Sequence, residues 1–295
     1  MECNICPRNC KVDRNIKIGF CKTNKLKINK VMVHHWEEPI ISGINGSGAI
    51  FFSGCNLKCI YCQNFEISSF NNGVEISIKN LVEIMKKLEK MGVHNINFVT
   101  PTHFTNEILE ALKIYKPKIP IVWNTSGYEK PETIEKLKGF VDIFLFDLKY
   151  FDSKISLNYS KAKDYFKYAS ESLIKAREIV GDDVIEYGLM KKGVLIRHLL
   201  LPNNSSDSIK IIDFVNEKLG NKVYFSLLNQ YTPYYKAKEH PTLKNKVTNL
   251  EYKRVVKHLI NLNFDNAYVQ EESSSNECYI PDFEEEFDLK KFLID

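Results

Sequence analysis

The sequence predicts an α/β fold in which six βα units form a partial barrel behind a small cysteine-rich segment. From Gly48 onward, short runs of β-branched and aromatic residues alternate with amphipathic stretches, a pattern typical of βα units around a parallel sheet. Residues 1–30 contain four cysteines but too few apolar residues for a core of their own, so a metal would have to organise them. The length of 295 residues suits one such barrel.

Six short apolar segments are predicted to be the strands of the sheet. They run from Ala49 to Ser53, from Asn95 to Val99, from Pro120 to Asn124, from Asp142 to Phe146, from Val194 to Leu200 and from Val223 to Leu228. A helix is predicted from Ile78 to Met91, behind Ser77 as its cap. Because right-handed crossovers put the helices on one outer face, the sheet should curl into a TIM-like partial barrel. Functional residues are then expected at the carboxyl ends of the strands.

These patterns divide the chain into three predicted parts. Residues 1–47 form a cysteine-rich metal-binding segment, which we call the N-terminal knuckle, and residues 48–275 form the partial barrel. Residues 276–295, which include an acidic run at 284–286, are predicted to be a solvated C-terminal tail. One main domain is therefore expected, with a small addition at each end.

Composition and charge exclude several classes of protein. The sequence is 44% apolar and 26% charged, which supplies a buried core with a solvated surface and argues against disorder. The net charge of +4 arises from 41 basic and 37 acidic residues that are interleaved, so no nucleic-acid partner is expected. The sequence has neither a secretion-signal start nor an apolar run of membrane-spanning length. These features predict a cytoplasmic protein with no membrane partner.

Seven of the eight cysteines fall within the first 62 residues, and in a reducing compartment such clustering favours metal ligation over disulfides. Three of them, Cys55, Cys59 and Cys62, are spaced CxxxCxxC directly after the first predicted strand. Three thiolates can bind three irons of a [4Fe-4S] cluster and leave the fourth iron open to a substrate. The alternative is a zinc site or a closed electron-transfer cluster. Either needs a fourth ligand, and the nearest cysteine outside these sets, Cys278, is far along the chain.

The cysteine spacing, the aromatic Tyr61 before the last cysteine and the six βα units resemble the radical S-adenosylmethionine (SAM) superfamily. Within it, the chain resembles the activating enzyme of pyruvate formate-lyase and its uncharacterised homologues over almost its whole length. The segments that carry this resemblance are Glu37-Glu38-Pro39, Ile41-Ser42-Gly43, Gly46-Ser47-Gly48 and Cys62-Gln63-Asn64. The resemblance implies an oxidoreductase whose [4Fe-4S] cluster reductively cleaves SAM to a 5'-deoxyadenosyl radical, which takes hydrogen from a substrate.

The resemblance also implies partners. A low-potential donor such as flavodoxin or ferredoxin would reduce the cluster, and the substrate would be a protein that carries a glycyl radical. One alternative is modification of a small molecule or another protein, since fold does not determine substrate. A second alternative, from a different class, is a non-catalytic iron-sulfur electron-transfer module, which would not bind SAM.

Further cofactor contacts are expected after the later strands. Thr102 and His103 follow the second strand, where the family commonly carries a Gly-Gly-Glu segment, and the imidazole could serve as an acid-base group near neutral pH. Asn124 and Ser126 follow the third strand, and Asn124 takes the place of an acid in the activating enzyme. Together with Tyr61, these residues are predicted to bind the cofactor.

Charged residues are predicted at the ends of the fourth and fifth strands. Asp147 and Lys149 follow the fourth strand, where a lysine can meet the SAM carboxylate in the family. A structural ion pair is the alternative, although such pairs are poor evidence of stability. Arg197 interrupts an otherwise apolar strand, so its guanidinium is expected to point inward to a carboxylate or a phosphate-like partner. His198 should then face the helices and be structural.

The N-terminal knuckle has four more potential metal ligands. Cys3, Cys6, Cys10 and Cys21 supply enough thiolates to close a tetrahedral zinc site or to hold an auxiliary iron-sulfur cluster, and the sequence leaves both possibilities open. Just after them, His34 and His35 precede the pair Glu37 and Glu38. Adjacent residues on a strand point to opposite faces, so one of the two histidines, with one of the acids, is expected to face the site.

Overall fold

A computed structural model describes residues 2–270, 283 and 288–292 of the chain. The strands in these residues are β1 Lys27–His34, β2 Ser47–Phe52, β3 Val74–Glu75, β4 Ile96–Val99, β5 Ile121–Thr125, β6 Ile143–Asp147, β7 Val184–Glu186, β8 Leu189–Leu199, β9 Tyr224–Leu228 and β10 Ala267–Val269. The α-helices are α1 Pro39–Ser42, α2 Phe65–Ser68, α3 Ile78–Lys90, α4 Thr105–Ile114, α5 Pro131–Glu135, α6 Ser153–Ser160, α7 Tyr165–Val180, α8 Ser205–Leu219 and α9 Asn249–Asn261. Single 3₁₀ turns occur at Thr102–Phe104, Tyr235–Glu239 and Leu289–Lys291.

The strands form one sheet in the order β10-β9-β8-β6-β5-β4-β2-β1-β3, and β7 pairs with β8 alone. All neighbours from β2 to β10 in this order are parallel, whereas β1, β3 and β7 pair antiparallel. The six predicted strands correspond to β2, β4, β5, β6, β8 and β9, so the α/β partial-barrel prediction is confirmed. The fifth strand begins earlier than predicted because a hairpin with β7 extends it.

The longer helices cover the outside of the sheet and bury their apolar faces against it. The helix predicted behind Ser77 is α3, and a capping box with Asn80 fixes its first turn. Its buried residues Leu81, Met85 and Leu88 belong to one apolar cluster that also contains side chains from β4, β5 and β6. None of the helices in the described ranges is long and apolar enough to cross a membrane.

The segment between β1 and β2 closes the amino-terminal end of the barrel. β1 runs antiparallel to β2, and His34 at its end pairs with Ser47 at the start of β2. The chain then turns inward through α1, whose Ile40 and Ile41 are buried against apolar side chains of β5, β6 and β8. This turn brings the acidic residues that precede α1 into the interior of the barrel.

The structure can be compared with two of the predicted segments, the N-terminal knuckle (residues 1–47) and the C-terminal tail (residues 276–295). β1 belongs to residues 1–47 but is hydrogen-bonded into the main sheet, so the knuckle is continuous with the barrel. The predicted tail lies outside the described residues except at 283 and 288–292. Phe283 is buried, with its ring centroid 5.3 Å from that of Phe51. The prediction of a solvated tail therefore does not hold at this residue.

Candidate active site

Three cysteines follow β2 at the carboxyl end of the parallel strands. Cys55, Cys59 and Cys62 line one pocket of about 260 Å³ in the mouth of the barrel. The loop begins at Gly54, which has φ +85, and a Cβ there would lie 2.5 Å from the carbonyl oxygen of Cys21. Only glycine suits such a position, because other residues rarely adopt that conformation and their Cβ would clash. The spacing therefore delivers all three thiols to one opening, as predicted.

The three cysteines of the loop carry free thiols. Burial raises the pKa of Cys55 to about 11 and that of Cys62 to about 12, so without a metal both stay protonated. A metal bound by these thiols would displace both protons. In the described ranges, no three His, Cys, Asp or Glu side chains converge to hold a single metal ion. Thiols that each bind a separate iron of a cluster do not need to converge on one ion.

A chain of hydroxyl groups ends on the sulfur of Cys59. The hydroxyl of Ser160, the last residue of α6, donates to Cys59 Sγ at 2.9 Å. Ser160 is also 2.6 Å from the Tyr150 hydroxyl, which in turn lies 2.5 Å from the hydroxyl of Tyr61. Tyr61 lines the pocket, as its place before the last cysteine predicts. Sequence reasoning missed Ser160 and Tyr150, because they come from the segment after β6, far along the chain from the cysteines, and carry no spacing signal.

The charged residues predicted at the strand ends form one network on the pocket wall. Arg197 Nε donates to Asp147 Oδ1 at 2.8 Å, and its Nη2 donates to Asn124 Oδ1 at 2.8 Å. Lys149 Nζ donates to the other oxygen of Asp147 at 2.7 Å. Burial would raise the pKa of Asp147, but the cations of Arg197 and Lys149 outweigh it and lower that pKa. Asp147 therefore stays charged between two cations.

Glu37 completes this network from the opposite end of the barrel. Its Oε1 accepts from Arg197 Nη1, and its Oε2 accepts from Asn97 at 2.9 Å and from Asn124 at 3.1 Å. The side chain is only 10% exposed and lines the pocket. The sequence prediction that Glu37 or Glu38 faces the site therefore agrees with the position of Glu37, and His34 is the histidine that lines the same pocket. Asn97 was missed.

Glu38 is buried beside the same network. It accepts from the Ser226 hydroxyl at 3.0 Å, while Arg197 and Glu37 act on it electrostatically. Burial is the largest effect and raises the pKa of Glu38 to about 7. An unfolded glutamate has a pKa near 4.3. As the pH rises from 4.3 to 7, the unfolded chain loses this proton while the folded chain keeps it, so stability falls through that window.

Replacing Glu38 with glutamine is expected to remove this pH dependence. Relative to the wild type, Glu38→Gln should gain about 3 kcal/mol of unfolding free energy between pH 4 and pH 8, because the glutamine never ionises. Urea unfolding under anaerobic conditions at several pH values measures this difference. The exposed Glu186→Gln is the matched control and should show no such trend. A Glu38→Gln difference that stays constant with pH would contradict the assignment.

Ser126 is a polar group in the pocket that lacks a partner. Its Oγ is buried and accepts or donates no hydrogen bond within the described part of the chain, and the residue lines the pocket next to Asn124. A buried hydroxyl without a partner costs about 1–3 kcal/mol, so a bound molecule is its natural partner. Three thiols, an unpartnered hydroxyl and the charged network together fit a cluster with an amino-acid-bearing nucleoside.

Two predicted cofactor contacts, Thr102 and His103, do not line the pocket. The Thr102 hydroxyl donates to the buried Glu129 at 2.8 Å. His103 Nε2 bonds to the carbonyl of Ser53 at 2.7 Å, and burial lowers the pKa of His103 to about 3. The imidazole is therefore neutral near pH 7 and donates to Ser53, so it supports the start of the cysteine loop instead of acting as an acid-base group.

The position of Glu129 explains where Thr102 points. Glu129 Oε1 also accepts from Trp123 at 3.1 Å and from Thr125 at 2.6 Å, so three donors converge on one carboxylate between the sheet and the helices. Burial nevertheless raises its pKa. Sequence reasoning missed Glu129, which carries no motif. His198 is buried, with its ring nitrogens bonded to Leu148 and Ser208, which agrees with the predicted structural role.

The structure therefore brings most of the predicted residues together. The predicted site residues that line the pocket are Cys55, Cys59, Tyr61, Cys62, Asn124, Ser126, Asp147, Lys149 and Arg197. The four cysteines of the knuckle lie outside this pocket, on the other side of the cysteine loop.

Comparisons with known proteins point to one superfamily. The family model of the Radical SAM superfamily matches residues 49–215. An uncharacterised protein of Methanocaldococcus jannaschii, MJ0674, is 32% identical over 277 residues, which cover 90% of this chain and 77% of the relative. The pyruvate formate-lyase-activating enzyme of Clostridium pasteurianum is 24% identical over 222 residues, covering 70% of this chain and 86% of the relative.

Solved structures give the same fold. The Streptococcus suis protein SuiB bound to the precursor peptide SuiA matches with a TM-score of 0.51 and 15% identity. The match covers 74% of this chain and 46% of SuiB, so the chain corresponds to about half of that protein. The likeness at this identity concerns the fold alone.

Proposed function

Because the chain belongs to the radical SAM superfamily, we propose that it cleaves SAM reductively with a [4Fe-4S] cluster held by Cys55, Cys59 and Cys62. The observation that carries the proposal is the pocket that these thiols share with a charged network and with the unpartnered hydroxyl of Ser126. A cluster held by these thiols would supply one low-potential electron to the sulfonium of SAM, which would part into methionine and a 5'-deoxyadenosyl radical able to take a hydrogen atom from a substrate.

The residues of this chain have separate tasks in the proposal. The three thiolates would hold the cluster and leave one of its irons open to SAM. Among the described residues, Lys149 Nζ donates to Asp147 Oδ2 at 2.7 Å, and it can turn a second N–H to the carboxylate of SAM. Asn124 and Ser126 face the pocket with amide and hydroxyl groups that suit the ribose or the methionyl group. Arg197, which binds Asp147, Glu37 and Asn124, holds these groups in place.

We further propose that the substrate is a protein or peptide. Two relatives support this class by name: the activating enzyme of C. pasteurianum and a putative glycyl-radical enzyme activating enzyme of Haemophilus influenzae, 23% identical over 178 residues. The peptide-bound SuiB supports it by fold. A glycyl-radical protein is the specific candidate, and a low-potential flavodoxin or ferredoxin is the proposed electron donor. A small-molecule substrate is the competing candidate.

The reaction is tested by reconstituting the cluster anaerobically, reducing it with dithionite and measuring 5'-deoxyadenosine after SAM is added. We expect 5'-deoxyadenosine and methionine in about equal amounts, and none when dithionite is omitted. If a chain with its full complement of iron neither binds nor cleaves SAM, the function is wrong and a non-catalytic electron-transfer module replaces it.

The substrate class is tested separately with a glycyl-radical protein from the same genome. Incubation with the reduced chain and SAM should produce a glycyl-radical signal by electron paramagnetic resonance (EPR), together with 5'-deoxyadenosine. If SAM is cleaved but no protein or peptide radical or product forms, whereas a metabolite fraction stimulates cleavage, the small-molecule candidate is favoured.

Removing the Ser160 hydroxyl is expected to lower the reduction potential of the catalytic cluster. The Ser160 O–H donates to Cys59 Sγ and stabilises the more negative, reduced cluster. Loss of this hydrogen bond should lower the midpoint reduction potential of the cluster by about 40 mV, which corresponds to about 1 kcal/mol for the transfer of one electron. EPR-monitored redox titration of Ser160→Ala measures the shift, and Ser170→Ala, on the remote helix α7, is the control. An unchanged midpoint in Ser160→Ala would show that this hydrogen bond does not reach the cluster.

A further inference from the structure

We propose that Arg8, in the N-terminal knuckle, is a positioning residue for the catalytic cluster. Its guanidinium joins the loop of the catalytic cysteines to the end of α6 and so keeps the Ser160 hydroxyl on the sulfur of Cys59. Arg8 lies between Cys6 and Cys10 in the chain, so the order of the knuckle decides where this guanidinium sits. The proposal rests on the proposed function, because it requires a cluster on the three catalytic thiols.

One guanidinium binds three backbone carbonyls from two separate segments. Arg8 Nε donates to the carbonyl of Asn56 at 2.8 Å, and Asn56 directly follows Cys55 in the cysteine loop. Nη2 donates to the carbonyl of Ser160 at 3.2 Å, and Nη1 donates to that of Lys161. The planar fork of an arginine can bind several acceptors at fixed angles, which the single ammonium of a lysine cannot do.

Two aromatic rings hold the guanidinium in this position. The Cζ atom of Arg8 lies 3.9 Å from the ring centroid of Phe20 and 5.0 Å from that of Tyr128. Such cation–π contacts favour a flat guanidinium. Tyr128 is buried, and its carbonyl accepts from the side-chain amide of Asn56 at 2.6 Å. The knuckle and the barrel therefore fix the guanidinium together, next to the cysteine loop.

The other two carbonyls belong to the carboxyl end of α6. The last carbonyls of a helix have no partner within it, and a cation is favourable there. The same end of α6 is bonded to the cysteine loop through the backbone: the N–H of Lys58 donates to the Ser160 carbonyl at 3.3 Å, and the N–H of Ile60 donates to the Tyr159 carbonyl at 2.9 Å. Arg8 therefore completes a junction at which the cysteine loop and the helix end share an acceptor.

The side chain of Ser160 connects this junction to the cluster. Ser160 is buried, its carbonyl accepts from Arg8, and its hydroxyl donates to Cys59 Sγ at 2.9 Å. The hydroxyl stays on the sulfur only as long as the backbone of Ser160 is fixed. Hydrogen bonds to the ligand sulfurs help to set the reduction potential of a cluster. Loss of the fork of Arg8 should therefore lower that potential through Ser160.

The test uses Arg8→Lys, which keeps the positive charge and loses the fork. EPR-monitored redox titration gives the midpoint reduction potential of the signal that is absent from Cys59→Ala. We expect this potential to fall in Arg8→Lys by about as much as in Ser160→Ala. The control is Lys130→Met, which removes a cation that donates to the knuckle at Asn9 Oδ1 at 2.5 Å and should not shift the potential. A wild-type potential in Arg8→Lys would overturn the proposal.

A double-mutant cycle separates positioning from a direct effect of Arg8 on the cluster. If Arg8 acts through the Ser160 hydroxyl, Arg8→Lys should lower the potential no further when it is added to Ser160→Ala. Shifts that add up in the double variant would show that Arg8 acts by another route, and the positioning role would be wrong.

A second variant keeps the proposal testable if Arg8→Lys does not fold or does not retain the cluster. Phe20→Leu removes a ring that contacts the guanidinium and leaves Arg8 in place, so the potential should fall by a smaller amount. No shift in that variant would contradict the proposal.

These measurements also distinguish the role of Arg8 from the proposed function. A wild type that cleaves SAM, together with an Arg8→Lys variant of unchanged potential, refutes the role of Arg8 alone. A reconstituted wild type that holds no cluster on the three catalytic thiols refutes the proposed function, and the role of Arg8 with it.

Discussion

Replacing Cys59 with alanine is expected to reduce SAM cleavage to background. Cys59 lines the pocket together with the other two thiols, and the side chain that hydrogen-bonds to its sulfur is the Ser160 hydroxyl, which is a poor replacement for a thiolate ligand of iron. A cluster with two thiolates is not held firmly enough to keep an open iron in place. Production of 5'-deoxyadenosine and the iron content of the same preparation are measured together.

The control for this substitution is Cys278→Ala. Cys278 lies outside the described residues and belongs to neither group of clustered cysteines, so its loss should leave iron content and SAM cleavage unchanged. If Cys59→Ala retained substantial activity with a full complement of iron, the assignment of the three thiols would be wrong.

Replacing Arg197 with methionine is expected to destabilise the fold by about 3–5 kcal/mol, because it leaves buried carboxylates with too few cations. Arg197 is 14% exposed and binds both Glu37 and Asp147, whose side chains are 10% and 21% exposed. Among the described residues, Asp147 would keep the cation of Lys149 and Glu37 would keep the amide donors of Asn97 and Asn124. Urea unfolding under anaerobic conditions measures the loss.

The matched control is Arg254→Met, since Arg254 is an exposed arginine whose guanidinium donates to Ser205 at 3.2 Å. That change should cost less than about 0.5 kcal/mol. The variant Arg197→Lys keeps the charge but loses the forked geometry, so it should recover only part of the stability lost in Arg197→Met. If Arg197→Met were as stable as the control, Arg197 would not be needed to neutralise the buried carboxylates, and this account of the network would be wrong.

Much of the fold could be predicted because apolar runs and amphipathic stretches report directly on strands and helices. The β2 strand and the loop after it were predictable for the same reason, and the CxxxCxxC spacing needs no knowledge of tertiary contacts. Of the elements that were missed, β3, β7 and β10 have only two or three residues each, whereas β1 has eight and lies between β2 and β3. β1 also sits within a cysteine-rich segment that resembles an independent knuckle.

The contacts around the site could not be predicted to the same extent. Glu37 reaches Arg197 from the opposite end of the barrel, and Ser160 reaches Cys59 across 101 positions of the chain. Such pairs depend on the closed topology. Thr102 was placed in the site because it follows a strand, but Thr100 has φ +59, and a 3₁₀ turn from Thr102 carries the chain between the sheet and the helices. A strand end therefore indicates a region, and the local backbone decides which side chains enter it.

The most direct test is the EPR spectrum of the dithionite-reduced chain before and after SAM is added. The part of the spectrum that disappears in Cys59→Ala belongs to the catalytic cluster. If SAM binds in the pocket against that cluster, this part alone should change its g values on addition of SAM, and 5'-deoxyadenosine should follow. An unchanged spectrum in a chain with its full complement of iron would mean that SAM does not bind there, and the central claim would be wrong.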